Sequence, residues 1–246
     1  MAPALALGQV VHDVVENLST LPTATRFNTP LMEQFNKKWQ SISGEKGGFR
    51  SEQQEQEYKQ RGADMIRRII ANPGPLKNLA VKIKMDLPHY WLDENEGIIL
   101  CGKIDWLEYL PDSDSVHIID FKTSKREEDP ESLQLPIYAL LVKNCQKRNI
   151  ARASYWYLNF SDDLTPVDLP DAKKSHNDVL KIAKQVKLAR KLQKFDCPQG
   201  DKGCRACQPL EQIIKGQATF VGINDFKQDV YIIPPSTSED DESIIL

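Results

Sequence analysis

The chain has 246 residues, with 32 basic and 35 acidic side chains and a net charge of −3, so it is long enough to bury a sizeable core and is not cationic overall. It holds no apolar run of membrane-spanning length and opens without a basic n-region, so neither a membrane helix nor a signal peptide is expected. Five cysteines, three of them clustered, fit a reducing cytoplasm and a metal site better than a disulfide framework.

Residues 5–18 read as a helix, with Leu7, Val10, Val11, Val14, Val15 and Leu18 on one apolar stripe. Pro22 and its threonine-rich surroundings end it. Residues 30–40 form a second helix with Pro30 at the first turn. Residues 51–71 form a long third one, with Ser51 as N-cap, and Pro73-Gly74-Pro75 stops it. Residues 79–87 alternate apolar and basic side chains and predict an edge strand. Residues 98–109 and 116–122 predict a hairpin, joined by Pro111-Asp112-Ser113-Asp114. A helix over 130–144, an aromatic-rich strand over 152–160 and a long helix over 176–193 follow. A Cys/Gly loop comes next, then an apolar piece around Phe220-Val221 and an acidic tail over 234–246, read as disordered. Setting aside the four acids of Glu239-Asp240-Asp241-Glu242 moves the charge of the remainder to +1, so a local basic groove is compatible with the composition.

The strand Val116-His117-Ile118-Ile119-Asp120-Phe121-Lys122 places Asp120 and Lys122 on one face and Ile119 and Phe121 on the other. A carboxylate and an ammonium at the end of an apolar strand are costly to bury without a partner or a task. The preceding strand brings Asp105, within Gly102-Lys103-Ile104-Asp105. If the two strands pair, two carboxylates and a lysine converge, which suits a hard divalent cation and a water nucleophile for phosphodiester hydrolysis. His12 lies on an otherwise apolar stripe, where a lone histidine is ordinarily a satisfied core residue. Gln134 and Tyr138, four apart, share one helical face, and Pro136 between them predicts that they lie in the first turn or at a kink. His89, His117 and His176 fit no motif, and His117 faces away from Asp120. Cys101 is expected in the core and Cys145 as a free thiol.

In order and spacing, G-x-x-x-H (Gly8 to His12), G-x-x-D (Gly102 to Asp105), D-x-K (Asp120 to Lys122) and Q-x-x-x-Y (Gln134 to Tyr138) resemble the RecB-like and AddB-like branch of the PD-(D/E)xK nucleases, over residues 5–216. The resemblance implies an α/β, restriction-endonuclease-like fold: a central mixed sheet with helices on both faces, in one nuclease domain over residues 1–233. It implies a Mg²⁺- or Mn²⁺-dependent deoxyribonuclease acting on single strands or DNA ends as an exonuclease, in repair, recombination or defence. A helicase partner and a cytoplasmic location go with it. His12, Asp105, Asp120 and the Phe121 backbone carbonyl would then hold the metal, Lys122 would assist the attacking water, and Gln134 and Tyr138 would border the substrate strand. The alternative is a catalytically silent nuclease-fold module that binds DNA for a helicase complex.

Relatives in that branch often carry an iron–sulfur cluster held by one early and three late cysteines. Here Cys197, Cys204 and Cys207 form C-x6-C-x2-C, a different spacing, and no cysteine precedes His12. A Zn²⁺ ion with a fourth non-cysteine ligand and a metal-free loop of thiols are both open readings, and a stable iron–sulfur cluster is not expected.

Overall fold

The computed structural model describes residues 1–197, 199–200, 203–223 and 227–233, so the acidic stretch 234–246 lies outside the described residues. In chain order the elements are α1 (Pro3–Glu16), α2 (Leu31–Trp39), α3 (Glu52–Ala71), β1 (His89–Asp93), β2 (Ile98–Cys101), β3 (Trp106–Leu110) and β4 (Ser115–Lys122). They continue as α4 (Gln134–Cys145), β5 (Asn149–Tyr157), β6 (Thr165–Val167), α5 (Ala172–Leu192), α6 (Cys207–Ile214), β7 (Thr219–Ile223) and β8 (Asp229–Ile232).

The chain divides into two compact units. One comprises Met1–Val14, Leu31–Ile66 and the described residues from Phe195 onward. Its core is aromatic: Phe35, Trp39 and Phe49 succeed one another at ring-centroid distances of 5.4 and 5.7 Å. Gly62 of α3 lies so close to Leu7 and Phe35 that a Cβ would sit 2.7 Å from Leu7, so only glycine fits there. Ser51 caps α3 as expected, accepting the N–H of Gln54 at 3.1 Å, while Gln54 returns a bond to the N–H of Arg50. β7 and β8 form an antiparallel pair in this unit.

The other unit comprises Val15–Pro30 and Arg67–Lys194 and holds a four-stranded mixed sheet of order β3-β4-β5-β6. β4 and β5 run parallel, joined by α4, and the outer pairs are antiparallel. This mixed sheet flanked by helices is the expected α/β architecture. All eight residues of β4 are buried, as a central strand covered on both faces requires. On one face Val116 and Ile118 pack with Leu107, Ala153 and the α4 residues Leu135, Tyr138, Ala139 and Val142. On the other, Trp106, Phe121 and Trp156 form a row with centroid steps of 6.5 and 6.0 Å. Arg26, 2% exposed, lies over the Trp106 ring and donates to the carbonyls of Leu76, Asn78 and Leu21.

Three expectations need correction. The run 98–109 is not one strand: β2 pairs with β1 in a separate hairpin, β3 pairs with β4, and residues 102–105 between them are irregular. The run 79–87 contributes only a bridge at Ala80 and two backbone bonds, Val81 N–H to Leu107 and Tyr109 N–H to Leu79. In both cases apolar patterning reports burial and not the point at which a hydrogen-bonding partner changes. Cys101 is also exposed, not in the core.

Candidate functional site

Hydrophobic alternation sets which way β4 faces, and α4 covers the face that carries Asp120 and Lys122. Both residues sit at the carboxyl end of β4, where parallel strands of open α/β sheets place ligands. Asp105 immediately precedes β3. Continuing the β3–β4 register one step past Trp106↔Ile119 sets Asp105 opposite Asp120. Its Oδ2 accepts the Phe121 N–H at 2.8 Å, in the place a strand carbonyl would take. Gly102, where the chain leaves β2, packs close under α4: a Cβ there would lie 3.1 Å from the Leu141 side chain, which would have to shift slightly.

α4 begins at Gln134, so Gln134 and Pro136 fall in its first turn, where the proline costs little. Tyr138, one turn on, donates its hydroxyl to Asp105 Oδ1 at 3.0 Å. Gln134 accepts from Lys122 Nζ at 2.6 Å, and its amide donates to Tyr138 at 3.2 Å and more weakly toward Asp120 Oδ1 at 3.5 Å. Lys122 Nζ further contacts Glu128 at 2.7 Å and Asp120 Oδ2 at 3.2 Å. The latter contact is an ion pair without hydrogen-bond geometry, and Asp120 Oδ2 is buried with no hydrogen-bond partner. Asp105, Asp120, Lys122, Gln134 and Tyr138 thus form one polar cluster within the sheet unit, buried except for the half-buried Gln134.

Its electrostatics are unbalanced. Burial, reinforced by neighbouring Asp105, pushes Asp120 up to about 8. Burial alone depresses the Lys122 ammonium, yet Asp120 and Glu128 outweigh it and hold Lys122 above its ordinary value. Burial and the two aspartates keep the Tyr138 phenol neutral, and therefore a donor. Two carboxylates side by side, one with an orphaned buried oxygen, form a donor set suited to a hard divalent cation.

Two acids escaped the sequence reading. Glu128 stands in the irregular connection after β4 at no diagnostic spacing from Lys122. Glu16, the last residue of α1, has a carboxylate oxygen within 4.8 Å of one on Asp105 and lies 4.0 Å from Lys103. Its place four residues after His12 is the signal that was available. A polar cleft of about 250 Å³ opens beside Asp105, lined in part by Glu16, Thr20, Lys82, Asp86 and Lys103.

His12 is half-buried on the part of α1 that belongs to the first unit. Cys197, Cys204 and Cys207 belong to that unit as well, with their sulfurs within 4.8 Å of one another. The Cys207 backbone N–H, then its thiol, holds Cys204 down to about 7, and the same sharing pushes Cys207 up to about 11. A thiolate shared among three close sulfurs is compatible with a soft metal.

His117 faces away from Asp120, as expected, into a second buried network. It bonds Glu108 through Nδ1 at 2.8 Å and Ser154 through Nε2 at 2.9 Å, and Asn78 donates to Glu108 at 2.6 Å. These bonds hold Glu108 below the usual carboxylate value even though burial opposes them. The group resembles a charge-relay arrangement in chemistry, but all three members of the row Glu108–His117–Ser154 are buried in the sheet.

The family model described as the PD-(D/E)XK nuclease superfamily matches residues 1–210. No curated protein matches the chain, and no solved structure matches it. No helix among the described residues is long and apolar enough to cross a membrane.

Proposed function

This chain belongs to the PD-(D/E)XK nuclease superfamily, and we propose that it is a divalent-metal-dependent deoxyribonuclease of the RecB-like and AddB-like branch, acting as an exonuclease on single strands or DNA ends. Family membership implies nuclease chemistry. The finer assignment rests on the order of the four sequence motifs. The observation that carries it is the polar cluster at the carboxyl end of β4, where Asp105, Asp120, Lys122, Gln134 and Tyr138 are mutually bonded. Repair, recombination or defence in the cytoplasm, with a helicase as partner, is the setting we propose for it.

Asp105 and Asp120 are the residues we assign to the cation, with the Phe121 carbonyl and, on its motif alone, His12 as further ligands. Mg²⁺ or Mn²⁺ bound there supplies Lewis-acid charge at the phosphate and at the attacking water. Tyr138 and the Phe121 N–H each donate to one Asp105 oxygen, which fixes the carboxylate plane. In the metal-free protein Asp120 and Glu128 hold Lys122 above its ordinary value, and the role we assign it is to donate to a phosphate oxygen and offset developing negative charge. Gln134 aims the ammonium. For cleavage to proceed, one of the three contacts of the Lys122 ammonium must yield to substrate. Of the three, Glu128 is the one carried by neither a strand nor a helix.

The test is cleavage of end-labelled single-stranded DNA, duplex DNA and RNA by the purified protein with Mg²⁺, Mn²⁺ or chelator. Metal-dependent shortening of DNA, lost in Asp120→Ala, is the expected result. Absence of metal-dependent cleavage on every substrate would refute the reading.

A further inference from the structure

We infer that Phe160, backed by Tyr157 and Tyr155, forms a stacking subsite for an unpaired nucleobase, one that flanks the phosphate held at Lys122; this rests on the nuclease reading above. In the parallel β4–β5 register Tyr155 pairs with Asp120 and Tyr157 with Lys122, so both tyrosines lie on the face that carries the acidic cluster. Lys122 Nζ is 5.2 Å from the Tyr155 ring centroid. From there the rings continue from Tyr155 to Tyr157 at 5.8 Å, and from Tyr157 to Phe160 at 5.1 Å with planes only 13° apart.

The row is rigid at its base and open at its end. Tyr157 is 3% exposed, and its hydroxyl accepts the Glu128 N–H. The turn that carries Phe160 is fixed by bonds from the Phe160 and Ser161 N–H groups to the Tyr157 carbonyl. It is tied further by Trp156 Nε1 to the Ser161 carbonyl and by the Arg68–Asp162 ion pair. Phe160 nevertheless remains 45% exposed, stacked on Tyr157 on one side. A pre-ordered half-exposed aromatic ring, continuous with a phosphate-directed lysine, is the arrangement by which proteins hold single strands without reading sequence. Bases within a duplex have their π-faces already covered by their neighbours, so the ligand this surface selects is an unpaired base. The ordinary alternative is that the three rings merely cap the end of the sheet.

The test compares wild type, Phe160→Ala and Phe160→Trp on single-stranded oligonucleotides that are intact or carry one abasic nucleotide, placed at each position in turn. Binding is read by fluorescence anisotropy without metal, and cleavage by KM and kcat with Mn²⁺. Phe160→Ala should weaken binding and raise KM about fivefold or more, the low end of one base–aromatic stack, with kcat little changed. Phe160→Trp should restore both. One abasic position should weaken wild type by a similar factor and add nothing in Phe160→Ala. Equal affinity of wild type and Phe160→Ala, or an abasic penalty that is the same in both, overturns the subsite while leaving a cleaving enzyme a nuclease. Phe160-dependent binding without any cleavage supports the subsite and removes the nuclease reading.

Discussion

Replacing Asp120 by Asn should make the metal-free protein more stable at alkaline pH and leave its stability nearly unchanged at acid pH. Asp120 is fully buried beside a second aspartate, and its carboxyl titrates near 8 in the folded protein against 3.8 for the free group. Between those values the folded state holds a proton that the unfolded chain has released. Stability therefore falls as pH rises through this window, the opposite of a salt-bridged surface acid. At 1.36 kcal/mol per pH unit, the rise to about 8 sets a ceiling of ~6 kcal/mol on the destabilisation at high pH. Lys122, 3.2 Å away, loses an ion pair in the variant but keeps Glu128 and Gln134. The net gain at pH 8.5 should then be ~1–3 kcal/mol, seen as a rise of roughly 2–4 °C in Tm per kcal/mol for a chain of this size. The assay is thermal unfolding of wild type and Asp120→Asn in chelator at pH 4 and pH 8.5. Taking the difference between proteins at each pH cancels the other titrating groups. Adding Mn²⁺ should raise the wild-type Tm and leave the variant nearly unmoved. A variant less stable than wild type at pH 8.5, or a difference independent of pH, would refute the reasoning.

Lys122→Ala should lower kcat by ~10²–10³-fold through loss of a donor aimed at developing charge, while metal binding measured by calorimetry persists; unchanged turnover would remove Lys122 from the reaction. Arg26→Ala should destabilise by ~2–4 kcal/mol, because carbonyls of Leu76 and Asn78 lose their buried donor. Chemical denaturation checks this, and a loss under ~0.5 kcal/mol would show those carbonyls to be hydrated. For the cysteine cluster, anaerobic purification and elemental analysis should find at most one zinc, and Cys207→Ser should release it. Stoichiometric iron and sulfide would contradict this.

Much of the site was legible because its signals are periodic or ordered. Alternation along residues 116–122 put Asp120 and Lys122 on one face, and the i, i+4 spacing put Gln134 and Tyr138 on one helical face. The break of the 98–109 run was not legible, since Ile98–Cys101 and Trp106–Leu110 are equally strand-like and only their partners differ. Glu128 was invisible for another reason. It reaches Lys122 from an irregular segment, where no fixed period relates sequence distance to position. The bonds of His117 could not be foreseen either, because two of its neighbours, Glu108 and Ser154, come from strands on opposite sides of β4.

That row of bonds has a mechanical consequence for the acids it never touches. The β4–β5 ladder slips phase at Val116/His117, where residue 151 of β5 is left over. Past such an irregularity a strand can re-pair one residue out of step, and a one-residue slip turns every side chain to the opposite side. Here the slip would send Asp120 and Lys122 in among Trp106 and Trp156 and expose Phe121 to α4. Glu108, His117 and Ser154 bond only when three strands are in step, directly after the point of slippage and three residues before Asp120. They work as an alignment pin: apolar side chains favour burial in either phase, whereas these polar atoms are satisfied in one.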